Sequence, residues 1–214
     1  RTTSSAASDV YKRQVLMIEE HNQIGRPFQC AGLVNPGSME KVGLESTALT
    51  RIWGARIHGP GGTLVEIGSP ERTRTWSVCR KLFDEAVVAQ AISAGGSLML
   101  NSTPKGTSIS EEYVVTTIST DNTELTVKSK VVLGCDGAHS WVRRYHRMGR
   151  VRETMIGFQI DVTGYLHKEG KLDMYTGQQI APGFFAWAIP TGTTTRIGTF
   201  SRPDLLGGKS SEET

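Results

Sequence analysis

Short apolar runs alternate with polar, glycine-rich stretches along the chain, and the spacing of the apolar positions predicts its elements. The run "VLMIEE" (15–20) ends in acid, which is typical of a buried parallel strand. The stretch "HNQIGRPFQCAGLVNPGS" (21–38) is punctuated by Gly, Pro and Asn, which predicts a loop. "RIWGARIHGPGGTLVEIGS" (51–69) alternates on both sides of "PGG", which predicts a hairpin.

The clearest helical pattern covers "RKLFDEAVVAQAISAGG" (80–96), where apolar residues recur every three or four positions and Gly95 suits the C-terminal cap. "YVVTTIST" and "ELTVKS" then predict an antiparallel pair of strands. "KVVLGCDGAHSWVRRYH" (130–146) predicts a strand, a glycine turn and a helix. From Met155 the chain becomes strand-rich, in "TMIGFQIDV", "KLDMYT", "FFAWAIP" and "TTRIGTF".

This order of elements predicts an α/β fold with α+β character, built from two interleaved domains. A parallel, Rossmann-like domain is expected over residues 15–150, with a hairpin insertion near residues 50–70. A mostly antiparallel domain is expected over residues 151–214.

Composition narrows the function classes. A net charge of +3 is too small to indicate a nucleic-acid partner, and no apolar run approaches the roughly 18 residues of a membrane span. Three cysteines without CxxC spacing favour a reducing compartment, so we expect a cytoplasmic protein. The five histidines show no ligand-pair spacing, and we therefore expect no metal site.

The opening stretch, "SSAASDVYKRQ" (4–14), has neither an apolar period nor a capping pattern. Residues 9–14 can be encoded as GAT GTG TAT AAG AGA CAG, which matches a transposon end used to build sequencing libraries. We therefore expect residues 1–14 to be translated adapter, with the gene's own sequence beginning at Val15. A real polar tail is the alternative.

Glu19 closes the first predicted strand. In a dinucleotide-binding βαβ unit the second strand ends in an acid, whose carboxylate accepts hydrogen bonds from both ribose hydroxyls. The G-x-G-x-x-G turn of such a unit would lie upstream of Val15. Because many strands end in an acidic residue, Glu19 alone is a weak signal for nucleotide binding.

The turn in "VVLGCDGAHSWVRR" (131–144) is a second candidate. Its glycines allow a sharp turn and a close approach of the backbone to a ligand. The N-terminus of the following helix offers free N–H groups to an anionic or polyhydroxylated partner. Asp136 can accept from a sugar hydroxyl or cap the helix, and spacing alone leaves both alternatives open.

Four stretches carry a resemblance to a known family. "GCDGAHSWVRR" resembles the G-[AC]-D-G-x-x-S-x-V-R motif of flavoprotein monooxygenases and their relatives, and "WSVCRKLFDEAVVAQAISAGG" resembles a second motif of that superfamily. "VLMIEEHNQIGRPFQCAGLV" and "APGFFAWAIP" are similar to more specific patterns of the FAD-dependent geranylgeranyl reductases, including the digeranylgeranylglycerophospholipid reductases. The resemblance covers residues 15–205 and implies a truncated Rossmann-like FAD-binding domain interleaved with a substrate domain.

The resemblance also implies site residues. The expected FAD contacts are the ribose-binding acid, a segment beside the flavin, an arginine, a backbone position near the adenine and the Asp-Gly turn: Glu19, Cys30, Ala31, Gly32, Arg80, Pro104, Asp136 and Gly137. The expected substrate pocket is formed by Phe185, Trp187, Ile189 and Pro190, with Phe185 where many members carry Tyr. The alternatives are that Cys30 and the aromatic residues are plain core, and that Arg143 and Arg144 are solvated.

The implied function is FAD-dependent reduction of geranylgeranyl double bonds, in archaeal-type ether-lipid or related prenyl-lipid biosynthesis. Cys30 is the expected catalytic residue, NAD(P)H or ferredoxin the electron donor, and contact with a membrane would be peripheral. As a fragment lacking both ends, the chain alone is expected to bind FAD weakly and to be inactive. Two alternatives stay open: an FAD-dependent aromatic monooxygenase or halogenase, and a non-catalytic prenyl-binding protein on the same fold.

Overall fold

The computed structural model describes residues 14–121 and 123–206, so the adapter-like stretch lies outside the described residues apart from Gln14. Its strands are β1 Leu16–Ile18, β2 Leu33–Val34, β3 Ala48–Ile52, β4 Gly54–His58, β5 Leu64–Gly68, β6 Thr75–Val78, β7 Ser97–Met99, β8 Ser102–Ile109, β9 Val114–Thr120, β10 Thr123–Ser129, β11 Ile156–Val162, β12 Lys171–Thr176, β13 Phe185–Thr191 and β14 Thr194–Ser201. Its helices are α1 Pro36–Val42, α2 Arg80–Ser93 and α3 Trp141–Tyr145, with 3₁₀ turns at Glu45–Thr47, Pro60–Gly62 and Pro203–Leu205.

The chain forms two compact units, each built from two separated segments. Among the described residues, the first unit combines residues 14–26 with 88–121 and 123–153, and the second combines residues 27–87 with 154–206. The junctions fall after Arg26, within α2 and after Glu153. The assignment of FAD binding to residues 15–150 and of substrate binding to residues 151–214 stays a prediction.

The first unit contains a parallel pair and an antiparallel sheet. Strand β1 pairs in parallel with β7, so the parallel strand predicted at "VLMIEE" is confirmed. Its predicted burial is wrong, because Leu16 is exposed and Met17 and Ile18 are only half-buried. Strands β8, β9 and β10 form a meander, which confirms the predicted pairing of "YVVTTIST" with "ELTVKS" and adds β8 to it.

The predicted strand at the start of "KVVLGCDG" is wrong for the described residues. None of the four sheets that they form includes residues 130–133. Val131 and Leu133 are 64% and 71% exposed. An apolar run becomes a strand only where another strand pairs with its backbone groups.

The second unit is dominated by a six-stranded sheet in the order β11-β14-β13-β12-β4-β5. Its pairs are antiparallel except β12 with β4, which run parallel. The predicted hairpin around "PGG" is β4 and β5, and all four strands predicted after Met155 are present. A smaller antiparallel sheet, β2-β6-β3, belongs to the same unit.

Strand register gives the six-stranded sheet two unlike faces. Directly paired residues share a face, and neighbours along a strand point to opposite faces. One face, called here the core face, carries Ala55, Leu172, Trp187 and Ile189, and Ile52 of β3 joins them in one cluster. The other, called the polar face, carries Arg56, Asp173 and Ala188, which are paired in register across β4, β12 and β13.

A short helix begins inside the stretch predicted to be a loop, residues 21–38, and continues past its end. Helix α1 begins after Asn35, whose side chain accepts from the backbone N–H of Ser38 at 2.8 Å, and Pro36 occupies its first turn. It ends at Gly43, which takes a left-handed conformation with φ 62°. The loop prediction was wrong here because the Asn-Pro signal that starts a helix was taken for a turn.

Helix α2 is confirmed as predicted from its apolar period. Gly95 follows it with φ 96°, and its N–H donates to the carbonyl of Ile92 at 2.9 Å. Its face packs through Phe83 and Val87 on a second cluster, formed by Met39, Leu44 and Val78. The α/β class with α+β character is thereby confirmed, and antiparallel pairing prevails in the described sheets.

Candidate functional site

The segment of residues 30–32 leads into β2, and side chains and backbone of the second unit hold it in place. Its three carbonyl oxygens accept, in order, from Gln159 Nε2 at 3.3 Å, from Arg196 Nη1 at 2.9 Å and from the backbone N–H of Val78 at 2.8 Å. A loop whose carbonyls are all hydrogen-bonded loses most of its freedom to move.

The Cys30 thiol is held as well. Arg80 Nη1 lies 3.1 Å from Cys30 Sγ, and the backbone N–H of Gly32 approaches the same sulfur at 3.5 Å. Arg80 also donates to both carboxylate oxygens of Asp84, one turn further along α2, at 2.9 and 3.1 Å. Burial works against the charge of this guanidinium, but the contacts with Asp84 and with Cys30 together outweigh it and raise the pKa of Arg80. A thiol thus sits beside a fixed cation.

Gly32 is required by this arrangement. Its φ of +77° lies in the left-handed region, and a Cβ there would meet the carbonyl oxygen of Val78 at 2.5 Å and Arg196 Nη1 at 2.7 Å. The close approach of Arg196 to the segment therefore depends on glycine at this position.

Three of the four residues predicted for the substrate pocket lie on the core face. Trp187 and Ile189 belong to the core cluster, and Phe185 and Ala31 pack against it. Pro190 lies on the other face by the alternation of β13, and its carbonyl accepts from Ser77 Oγ at 2.7 Å. The structure thus brings segment 30–32 and this aromatic strand together in one unit.

Aromatic rings continue along the core face beyond the predicted residues. Ring centroids lie 6.3 Å apart for Phe185 and Trp187, 5.1 Å for Trp187 and Phe200, and 4.3 Å for Phe184 and Phe185. Trp187 Nε1 is buried and has no hydrogen-bond acceptor among the described residues. Phe184 and Phe200 are exposed, so the cluster ends in an accessible apolar wall.

Glu19 and Pro104 both lie in the first unit, where a backbone hydrogen bond links the strands that position them. Glu19 directly follows β1, and its carbonyl accepts from the N–H of Ser102, the first residue of the strand that contains Pro104, at 2.9 Å. One carboxylate oxygen of Glu19 accepts from the backbone N–H of His21 at 3.0 Å and lies 2.6 Å from His21 Nδ1.

The Asp136-Gly137 turn precedes α3. Asp136 Oδ2 accepts from the N–H of Val142 at 3.0 Å, and Ser140 Oγ caps the same helix by accepting from the N–H of Arg143 at 3.0 Å. Partial desolvation works against the carboxylate, but Ser140 and the backbone N–H groups of Val142, Asp136 and Trp141 hold the pKa of Asp136 below its usual value. Gly137 has φ +70°, and nothing lies within 4 Å of where its Cβ would be.

An open groove of about 790 Å³ surrounds this turn, lined by residues between Val132 and Val151. The groove offers a carboxylate, an unobstructed glycine backbone and the apolar side chains of Leu133 and Met148. This donor set fits part of a dinucleotide, because sugar hydroxyls and phosphates need acceptors and N–H groups while a base needs apolar surface.

The sequence did not single out Gln159, Asp161 and Arg196. Arg196 Nε and Nη2 donate to Asp161 at 2.9 and 3.2 Å, and Asp161 and Arg196 are direct partners of β11 and β14. The signal was present in the alternation of "FQIDV" and "TTRIGTF", which puts each of these polar residues on one face of its strand. Only the pairing of the two strands shows that they meet.

None of the helices among the described residues combines the length and the apolarity that crossing a membrane requires. Within the same residues, His, Cys, Asp and Glu side chains form no group of three or more that could hold a metal ion.

Curated proteins and solved structures resemble the chain over most of its length. Digeranylgeranylglycerophospholipid reductase of Methanocaldococcus jannaschii is 26% identical over 202 residues, which covers 91% of this chain and 51% of that protein. The enzyme of the same name from Methanocella arvoryzae is 30% identical over 186 residues, covering 83% and 47%. The chain thus spans about half the length of the curated relatives it matches.

Among solved structures, a geranylgeranyl bacteriochlorophyll reductase-like protein of Thermoplasma acidophilum has a TM-score of 0.83 at 22% identity, covering 96% of this chain and 55% of that one. This likeness confirms the fold expected for the FAD-dependent oxidoreductases. No profile of a known protein family matches the chain. The resemblance carried by the sequence motifs is nevertheless confirmed, since the chain is similar to curated proteins named digeranylgeranylglycerophospholipid reductase.

Proposed function

We propose that this chain is part of an FAD-dependent reductase of isoprenoid double bonds, acting on geranylgeranyl chains in ether-lipid or related prenyl-lipid biosynthesis. The observation that carries the proposal is the packing of segment 30–32, with its thiol and its neighbouring arginine, on the aromatic core face of the six-stranded sheet. A prenyl chain offers only shape and apolar area for binding, and such a face supplies both.

The proposed FAD ligands are Glu19 for the ribose hydroxyls, Pro104 near the adenine, the backbone and carboxylate of Asp136 and Gly137, and Arg80 with segment 30–32 near the flavin. When bound, reduced FAD supplies a hydride to one carbon of the alkene. The protein's own part is to hold the double bond in place and to keep water away, because an unactivated alkene has no carbonyl that the enzyme can polarise.

Cys30 is the proposed catalytic residue. Its thiol can deliver a proton to the second alkene carbon, which leaves a thiolate that Arg80, 3.1 Å away, stabilises and that solvent reprotonates. The same residue, lying beside the flavin, would alternatively tune the cofactor. Phe185, Trp187 and Ile189 are the proposed walls for the prenyl chain, joined by Phe200.

The remaining partners follow from this chemistry. NAD(P)H or a ferredoxin is the proposed electron donor, and the protein is proposed to work in the cytoplasm. Contact with a membrane would be peripheral and would give access to the lipid substrate.

The test uses the full-length protein with digeranylgeranylglycerophospholipid and a reductant under exclusion of oxygen. We expect mass spectrometry to show lipid products that have gained two hydrogen atoms for each reduced double bond. An aromatic product formed only with oxygen and NADPH would instead identify a monooxygenase or halogenase. Lipid binding by a protein that carries no flavin would identify a prenyl-binding protein.

A further inference from the structure

The side chain of Arg196 is only 3% exposed, whereas that of Arg80, the other arginine at segment 30–32, is 34% exposed. Four groups surround its guanidinium. Two are the carboxylate oxygens of Asp161, a third is the carbonyl of Ala31 at 2.9 Å, and the fourth is the ring of Phe28, whose centroid lies 4.3 Å away. Phe28 lies two residues before segment 30–32, and Ala31 is the middle residue of that segment.

A buried guanidinium is costly unless its donors are satisfied. Asp161 satisfies two of them, and the Ala31 carbonyl satisfies a third, so moving the segment away would leave a buried donor without a partner. The cost of that loss ties the position of the segment to the sheet. A second tie comes from Gln159, two residues before Asp161 on the same face of β11, which donates to the Cys30 carbonyl at 3.3 Å.

We propose that Arg196, oriented by Asp161 and assisted by Gln159, is a positioning residue that fixes the Cys30 thiol at the reaction site. Arg196 does not touch the sulfur itself. It holds the carbonyl of Ala31, the residue after Cys30, and Gly32 leaves the space for it to do so. This role in catalysis rests on the proposed function, whereas the fixing of the thiol does not.

The chain offers a matched control on the same sheet. Arg56 also pairs with a carboxylate, that of Asp173 at 2.7 Å, but it lies on the polar face. Substitution of Arg56 removes an arginine–carboxylate pair of the same sheet without touching segment 30–32. Cys79, a half-buried free thiol of the same unit, serves as an internal reference.

The test measures alkylation of Cys30 and Cys79 by iodoacetamide in the folded full-length protein, by mass spectrometry of the two cysteine-containing peptides. We expect Arg196→Met to raise the Cys30 rate at least tenfold relative to Cys79. Arg56→Met should leave this ratio unchanged, and Arg196→Lys, which keeps a buried cation beside Asp161, should give an intermediate value. Gln159→Leu should give a smaller increase.

An unchanged ratio in Arg196→Met, with a thermal unfolding midpoint close to that of the wild type, would overturn the proposal. If Arg196→Met fails to fold, Arg196→Lys and Gln159→Leu decide it by the same ratio. The readout involves neither flavin nor alkene, so a failed reductase assay leaves it standing. In an active reductase, Arg196→Lys should lower kcat more than it raises KM, because the lipid wall is intact while the thiol is displaced.

Discussion

Two arginine–carboxylate pairs lie on opposite faces of the six-stranded sheet and are built in opposite ways. On the core face the cation is the buried partner, with Arg196 3% and Asp161 44% exposed. On the polar face the anion is the buried partner, with Asp173 1% and Arg56 22% exposed.

The difference lies in how each buried charge completes its hydrogen bonds. Asp173 draws on its own face, since it accepts from Arg56, contacts His58 Nε2 at 2.7 Å and accepts from the hydroxyl of Tyr165 at 3.1 Å. Arg196 instead uses a carbonyl of segment 30–32. The Arg56–Asp173 pair therefore stabilises the sheet, whereas the Arg196–Asp161 pair couples the sheet to the segment that carries Cys30, the candidate catalytic residue.

The largest effect on stability is expected at Asp173. Asp173→Ala removes a buried carboxylate and leaves Arg56, His58 and Tyr165 without their shared partner. Breaking a buried pair from one side typically costs about 3–5 kcal/mol of unfolding free energy. Urea unfolding at neutral pH measures it. Asp204→Ala, which removes a carboxylate 59% exposed in its ion pair with Arg202, should leave the urea midpoint nearly unchanged. Equal shifts in the two variants would remove the distinction between buried and exposed pairs.

A somewhat smaller loss is expected for Gly32→Ala, on the side of the sheet that holds the site. The new Cβ would collide with the Val78 carbonyl and with Arg196, so we expect a loss of about 2–4 kcal/mol from strain and overpacking. Gly43→Ala is the matched control, because Gly43 also has a positive φ but has open space around it, and about 1–2 kcal/mol is expected there. Thermal or urea unfolding compares them. Similar losses would mean that Arg196 does not crowd Gly32.

Unfolding at acid pH tests the buried carboxylate of the polar-face pair. Desolvation opposes the charge of Asp173, but its bonds from Arg56, His58 and Tyr165 hold its pKa below the ordinary 3.8. A carboxyl with a depressed folded-state pKa stabilises the fold above its unfolded-state pKa, and the stabilisation is lost as pH falls through the folded value. Unfolding free energy should therefore fall below about pH 4 in the wild type and less steeply in Asp173→Asn, as urea titrations at several pH values would show. Parallel curves would contradict this.

The smallest effect on stability is expected for the ion pair of Lys168 with Glu66, in which neither side chain is buried. Lys168 donates to Glu66 at 2.9 Å on the polar side. The hydrogen bonds from Lys171 and from Lys168 lower the pKa of Glu66 to about 2. Lys168→Ala should lower the thermal midpoint only slightly, and the difference should disappear in 1 M salt, where the Debye length is about 3 Å. A large, salt-independent loss would mean that this pair resembles the buried ones.

Local patterns in the sequence predicted the hairpin of β4 and β5, helix α2 and the four strands after Met155, because each follows from apolar period and turn residues that are close in the chain. The strand at residues 131–133 failed for the opposite reason. Its apolar run is genuine, but strand formation depends on a neighbour that no local pattern reports.

The residues of the candidate site also divide into those that a local motif predicts and those that only strand pairing brings together. Cys30, Arg80 and Trp187 could be chosen because each stands in a motif. Arg196 and Asp161 could not, since they stand 35 residues apart and meet only through the register of β11 with β14. Charge complementarity between strands becomes informative only when the pairing is known.

The proposed function requires the second unit to hold Cys30 at the reacting double bond. Single-turnover reduction of the lipid by the prereduced full-length protein tests this requirement, with Cys30→Ala compared with Cys79→Ala. A proton donor contributes roughly 10²–10⁴-fold, so we expect Cys30→Ala to slow the reduction about 100-fold or more and Cys79→Ala to leave it near the wild-type rate. A Cys30→Ala protein that binds flavin and reduces the lipid at the wild-type rate would contradict the account.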